Sequence, residues 1–254
     1  QEGDFEFLLD LFDILESRAG DLLGEPAIDQ AKKSVAEHVE GCILRGETRP
    51  ELDLFIGKLG ESLYEWEAYF ATVFKDRIVT SSILRACFRF FPSHLETIHA
   101  GIKKKASDSE LLGKFADGLK SIDTPVSLDT LKKVYEAGDP AVKVRALQAM
   151  QNLKEFDEAF LFPILGKKNE LIQAEALVLL MRNERTKHVA FTKLFGLPSP
   201  YGIRNKSLLR NLRIVERYDL RDALPYIEPL SERKDLWNRK VRQEVGRVLE
   251  KWRE

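Results

Sequence analysis

Asp139-Pro-Ala-Val-Lys-Val-Arg-Ala-Leu-Gln-Ala-Met-Gln-Asn-Leu153 opens with an acid and a proline. Small and branched apolar residues then recur three and four positions apart, at Val142, Ala146, Leu147, Ala149 and Met150. That spacing places them on one face of a helix. Asp139 suits the N-cap, where its carboxylate accepts from backbone N–H groups left without partners. Pro140 suits the first helical position, where a missing N–H costs nothing. One such helix cannot bury its own apolar stripe, so similar stretches are to be expected elsewhere in the chain.

They occur on both sides. Downstream, NELIQAEALVLLM repeats the frame with Asn169, Ile172, Ala176 and Leu177. PYGIRNKSLLRNL does so with Ile203, Ser207 and Leu208, and NRKVRQEVGRVL with Asn238, Val241, Val245 and Gly246. Upstream, DSELLGKFADGL supplies Asp108, Leu111, Phe115 and Ala116, while DRIVTSSILRAC supplies Asp76, Val79, Ile83 and Leu84. The anchors Val79, Leu111, Val142, Ile172, Ile203 and Val241 are 32, 31, 30, 31 and 38 residues apart. A period of that size holds two helices and their turns, the unit of a helical repeat. The second helix of each unit is predicted over 94–106, 127–138, 157–168, 186–196 and 221–232. All six anchors are expected to be buried within helices.

These copies resemble the short, roughly thirty-residue form of the HEAT-like repeat family, over residues 61–254. The resemblance implies an all-α fold, an α-solenoid in which each helix pair buries its apolar face against the next. In that family an arginine commonly follows the branched anchor and ties consecutive repeats. Here the position holds Thr80, Leu112, Lys143, Gln173, Arg204 and Arg242. Only the last two match, so the central repeats are expected to rely on apolar packing. Residues 1–60 depart from the frame. FEFLLDLFDIL (5–15), AIDQAKKSVAEHVEGCIL (27–44) and the helix starting at Glu51 are strongly amphipathic and are read as an N-terminal helical cap.

Composition bounds the function. The chain has 254 residues, 44% hydrophobic and 32% charged, with a net charge of −1. No global field therefore selects nucleic acid or membrane, and no apolar run is long enough to span a bilayer. The charge is unevenly spread. Residues 1–60 carry fourteen acids and six bases, whereas residues 201–254 carry fourteen bases and nine acids. Two cysteines, Cys42 and Cys87, leave pairing open and offer no metal-knuckle spacing. The chain opens on Gln1 with no basic and apolar leader after it. A cytoplasmic site and a periplasmic or secreted one are both compatible with that start.

Two charged faces stand out. Lys206, Arg210, Arg213, Arg217 and Arg221 are spaced 4, 3, 4 and 4, a basic stripe opposite Leu208, Leu212 and Val215 if one helix carries them all. No acid interrupts it, which makes it the candidate surface for an acidic protein partner. Glu6, Asp10 and Asp13 form an acidic face on the first helix. The two faces are complementary, so another copy of the chain is a candidate partner, through a head-to-tail contact.

No catalytic apparatus is legible. There is no HExxH, glycine-rich phosphate loop or GxSxG elbow. His38 and Cys42 have an i,i+4 spacing but no third ligand, and His94 and His99 diverge around their helix. HEAT-like hydroxylases of protein lysine derivatives carry His-Glu dipeptides as iron ligands, and here Glu37-His38 has the reverse order. The expectation is a scaffold with no cofactor, metal or catalytic residue. The alternative is a nucleic-acid-binding protein similar to HEAT-like DNA glycosylases, using the cluster Tyr201, Arg204, Arg210, Trp237, Arg239 and Arg242.

Overall fold

The computed structural model describes Val79, Ser81, Leu84, Phe88 and residues 95–196, 200–232 and 235–253. Among these the secondary structure is entirely helical, with no strand. The predicted cap over 1–60, its acidic face, Thr80, both cysteines, His38 and His94 lie outside the described residues. The chain divides into two compact units, Gln1–Glu155 and Phe156–Glu254.

In the first unit four helices are described: α1 (Leu95–Lys104), α2 (Ser109–Leu119), α3 (Pro125–Ala137) and α4 (Pro140–Met150). Their starts follow the sequence signals. The Leu111 N–H donates to the Asp108 carboxylate at 3.0 Å, and the Val142 N–H to that of Asp139 at 2.9 Å. Thr124 caps α3, again followed by a proline. Helices pack on the next but one, α1 with α3 and α2 with α4, and α3 also packs on α2 and α4. Leu111, Phe115, Leu131, Val134, Val142, Ala146 and Leu147 fill the space between them, each almost wholly removed from water.

Polar ties in this unit join residues about thirty positions apart in sequence. His99 meets Thr130 and Ser109 meets Asp139, 31 and 30 residues apart. Arg145 reaches Asp117, and the Lys154 N–H donates to Asp123. Gly138, the C-cap of α3, closes the joint between the two helices of a pair. A Cβ there would lie only 2.3 Å from Cγ1 of Val142, so glycine lets the α3–α4 turn sit directly against the anchor.

The second unit holds α5 (Glu158–Ile164), α6 (Glu170–Leu180), α7 (Glu184–Phe191), α8 (Asn205–Arg217), α9 (Leu224–Ser231) and α10 (Arg239–Arg253). A π-helical turn, Thr192–Gly196, continues α7. The same rule of packing holds, with α6 on α8 and α8 on α10. The five predicted second helices correspond to α1, α3, α5, α7 and α9.

Two anchors behave otherwise. Val79 is half-buried and outside any helix. Ile203 is 77% exposed, in a turn ahead of α8. The physical cause at Ile203 is local: Tyr201 and Gly202 both take left-handed backbone, at φ 51° and 73°. The chain turns there, and Pro200 belongs to a short 3-10 turn with them instead of opening α8. The helix starts at Asn205, and Leu208 is the buried residue of its first turns.

A cationic helix face and an apolar platform

The amphipathicity of α8 is sharp. Leu208, Asn211, Leu212, Ile214 and Val215 are buried, while Lys206, Arg213 and Arg217 are exposed. These three cations are separated by seven and four residues and so share one face. The other two members of the predicted stripe differ. Arg210 is half-buried and turns inward, its Nη1 donating to the Lys168 carbonyl at 3.4 Å. Arg221 is not on the helix at all. α8 ends at Arg217, Asp219 takes left-handed backbone at φ 48°, and Arg221 begins a 3-10 turn. Its guanidinium bonds Asp219 at 3.1 Å and the Trp252 carbonyl at 3.4 Å.

The stripe has no acid in sequence, but an acid reaches it in space. Glu170, in the first turn of α6, lies 3.4 Å from Arg213. A second carboxylate of α8, Glu216, faces α10. It accepts from Arg247 at 2.7 and 2.5 Å and from Lys251 at 3.1 Å. The Arg247 hydrogen bonds, helped by Lys251, hold its carboxyl at about 2.

Beneath the helix lies a buried polar ladder that the sequence did not announce. Gln173 stands where the HEAT-like resemblance would place arginine. Its Nε2 donates to Asn211 Oδ1 at 2.7 Å, and Asn211 Nδ2 donates to the Leu194 carbonyl at 3.0 Å. Both side chains are buried. α6 and α8 are thus tied by neutral amides as well as by apolar packing. A glutamine next to an anchor and an asparagine on the apolar side of α8 are the signals that would have found it.

The cluster Tyr201, Arg204, Arg210, Trp237, Arg239 and Arg242 is brought together in part. The turn Pro200–Gly202 meets the turn Leu236–Asn238, where Asn205 Nδ2 donates to the Trp237 carbonyl at 2.6 Å. Tyr201 and Trp237 lie ring to ring, centroids 5.5 Å apart and tilted by 43°. Tyrosine at positive φ is an uncommon and costly backbone, held only where surroundings enforce it. Arg204 donates to the Lys193 carbonyl at 3.3 Å and Arg239 is exposed. Arg210 is occupied with Lys168, as above.

The histidines serve locally. Thr130 donates its hydroxyl hydrogen to the Val126 carbonyl, so its oxygen accepts from His99 Nε2, 3.2 Å away. Burial, then nearby Lys133, pushes the His99 pKa down from its ordinary value. His188 Nδ1 meets the Tyr226 hydroxyl at 2.5 Å, beside Lys187 held by Glu184 and Asp222. Among the described residues, no three His, Cys, Asp or Glu side chains group so as to hold a metal ion, and no helix is long and apolar enough to cross a membrane. Compared with known proteins, the chain matches no family model, no curated protein and no solved structure.

Proposed function

We propose that the chain is a HEAT-like repeat protein that acts as a non-catalytic protein-binding or assembly scaffold. Its helix pairs stack within each unit as in an α-solenoid, and an acidic protein surface docks on the cationic face of α8. Support for the repeat reading comes from the caps at Asp108, Asp139 and Asn169 and from the ties between residues about one repeat apart. Lys193 to Phe162 and Arg247 to Glu216, each 31 residues apart, extend that pattern in the second unit.

The observation that carries the binding reading is the exposed line Lys206, Arg213 and Arg217 opposite a fully buried apolar face. Exposed cations held on a rigid helix steer an acidic partner and set its orientation. The partner is another protein or another copy of this chain, whose residues Glu6, Asp10 and Asp13 supply acids at helical spacing. Arg210 and Arg221 are structural and drop out of the contact.

The test is the triple variant Lys206→Glu, Arg213→Glu, Arg217→Glu. Circular dichroism and melting should stay near those of the unmodified chain. Partner capture, read by affinity purification with mass spectrometry, and self-association, read by sedimentation, should fall by roughly tenfold or more and weaken with salt. Capture unchanged in the variant would refute the reading. Tight duplex DNA binding at physiological salt, lost in the same variant, would replace it with nucleic-acid binding.

A further inference from the structure

Four large apolar side chains stand in water on the joined turns of the second unit. Leu236 is 88% exposed, Tyr201 82%, Ile203 77% and Trp237 45%. Soluble surfaces carry single exposed apolar residues routinely, but a contiguous group marks a contact site. The group is held firmly: Trp237 is fixed by the Asn205 bond to its carbonyl, and Gly202 backs closely on its Cβ. Around these tips lie the exposed cations Lys206, Arg239 and Lys240, each within three residues of one of them. The first turn of α10 carries Arg239 and Lys240 and no acid. Asp235 is the one carboxylate among residues 200–206 and 235–242, and it accepts from Asn238 at 3.3 Å.

We infer that this platform is a peripheral membrane contact that seats on an anionic lipid surface. The most exposed side chains are aliphatic or at the tips of turns, and the grooves at Asp123–Glu155, His99–Ala137 and Glu184–Tyr226 lie elsewhere. Base stacking calls for several open aromatic faces; Tyr201 is open, but Trp237 is half-covered and the aliphatic tips Ile203 and Leu236 have no π-face. A bilayer boundary accepts all four together. Leucine and isoleucine enter the acyl edge, the amphipathic rings of tyrosine and tryptophan sit at headgroup level, and the cations meet lipid phosphates and carboxylates. The net charge of −1 for the whole chain conceals this local excess of base.

The experiment uses the full chain with vesicles of phosphatidylcholine alone or of phosphatidylcholine mixed equally with phosphatidylglycerol. Cosedimentation is expected with the anionic vesicles and not with the neutral ones, together with a blue shift of tryptophan emission that Trp237→Phe removes. The pair Tyr201→Ser and Leu236→Ser, both at exposed sites, should lower partitioning about tenfold or more while leaving the melt intact. Each cation near the surface contributes on the order of fivefold, so Arg239→Gln with Lys240→Gln should lower it about 25-fold. No binding to anionic vesicles, or binding that the serine pair leaves unchanged, overturns the inference. Binding to oligothymidylate that the serine pair abolishes assigns the platform to single-stranded nucleic acid and overturns it as well.

Discussion

Glu216 gives the second unit a measurable dependence on pH. Its side chain is 12% exposed and joins α8 to α10 through Arg247 and Lys251. The carboxyl titrates near 2 in the folded chain, against 4.5 ordinarily, because Arg247 and then Lys251 stabilise its charged form. A depressed carboxyl contributes stability that is complete above the ordinary value and is lost as pH falls through the folded one. At about 1.4 kcal/mol per pH unit the full displacement sets a ceiling of about 3.5 kcal/mol. Arg247 and Lys251 are 50% and 59% exposed, so solvent screens the pair. About 1–2 kcal/mol remains after that discount. Glu216→Gln keeps the shape and removes the charge. At neutral pH it should lower the melting temperature by roughly 2–8 °C, given about 2–4 °C per kcal/mol for a chain of this size. The gap between the two proteins should narrow as pH drops below 4.5 toward 2, where the native carboxyl is also neutral. Thermal melts at a series of pH values read it directly. A gap that stays constant on acidification would mean that the glutamine acts through packing, and that the ion pair contributes nothing.

Two glycines give opposite expectations. Gly138→Ala should destabilise the first unit by about 1–3 kcal/mol, because overpacking forces strain; the new methyl would sit 2.6 Å from the branched Cβ of Val142, itself 2% exposed. Denaturant titration with an unchanged slope is the check, and a neutral effect would show that the α3–α4 joint yields. Gly246→Ala should stabilise by about 0.5–1 kcal/mol, since alanine restricts the unfolded chain and favours helix. Gly246 is exposed within α10, and an added Cβ meets nothing within 4 Å. A lowered melting temperature for that variant would contradict the placement.

Three of the helices were legible because two independent signals coincide at their starts. Asp108, Asp139 and Asn169 supply caps, and the apolar period begins three residues later at Leu111, Val142 and Ile172. The period failed where the same spacing crossed a turn. PYGIRNKSLL keeps a branched residue at the expected interval, yet two left-handed residues in succession place Ile203 in water. Gly202 signals such a turn in the sequence; Tyr201 does not, because tyrosine rarely adopts that backbone. The basic stripe shows the same limit. Helical spacing predicts which side chains share a face, and it placed Lys206, Arg213 and Arg217 correctly. It is silent on where the helix stops, which removed Arg221, and on what a neighbouring segment brings up, which supplied Glu170 and the Lys168 carbonyl.

Ile203 also shows why the failed position matters. Here the anchor role passes to Leu208, and the displaced isoleucine joins Tyr201, Leu236 and Trp237 at the surface. The interval between the last two anchors is 38 residues instead of about thirty. That longer unit contains the turn Leu236–Asn238, which carries the other half of the platform. Both departures from the repeat therefore converge on one place. A chain under pressure only to stack would bury those four side chains or replace them with polar ones. Their exposure costs solubility without adding to the core, so it is at this irregular joint, more than in the regular helix pairs, that a contact with another surface is to be sought.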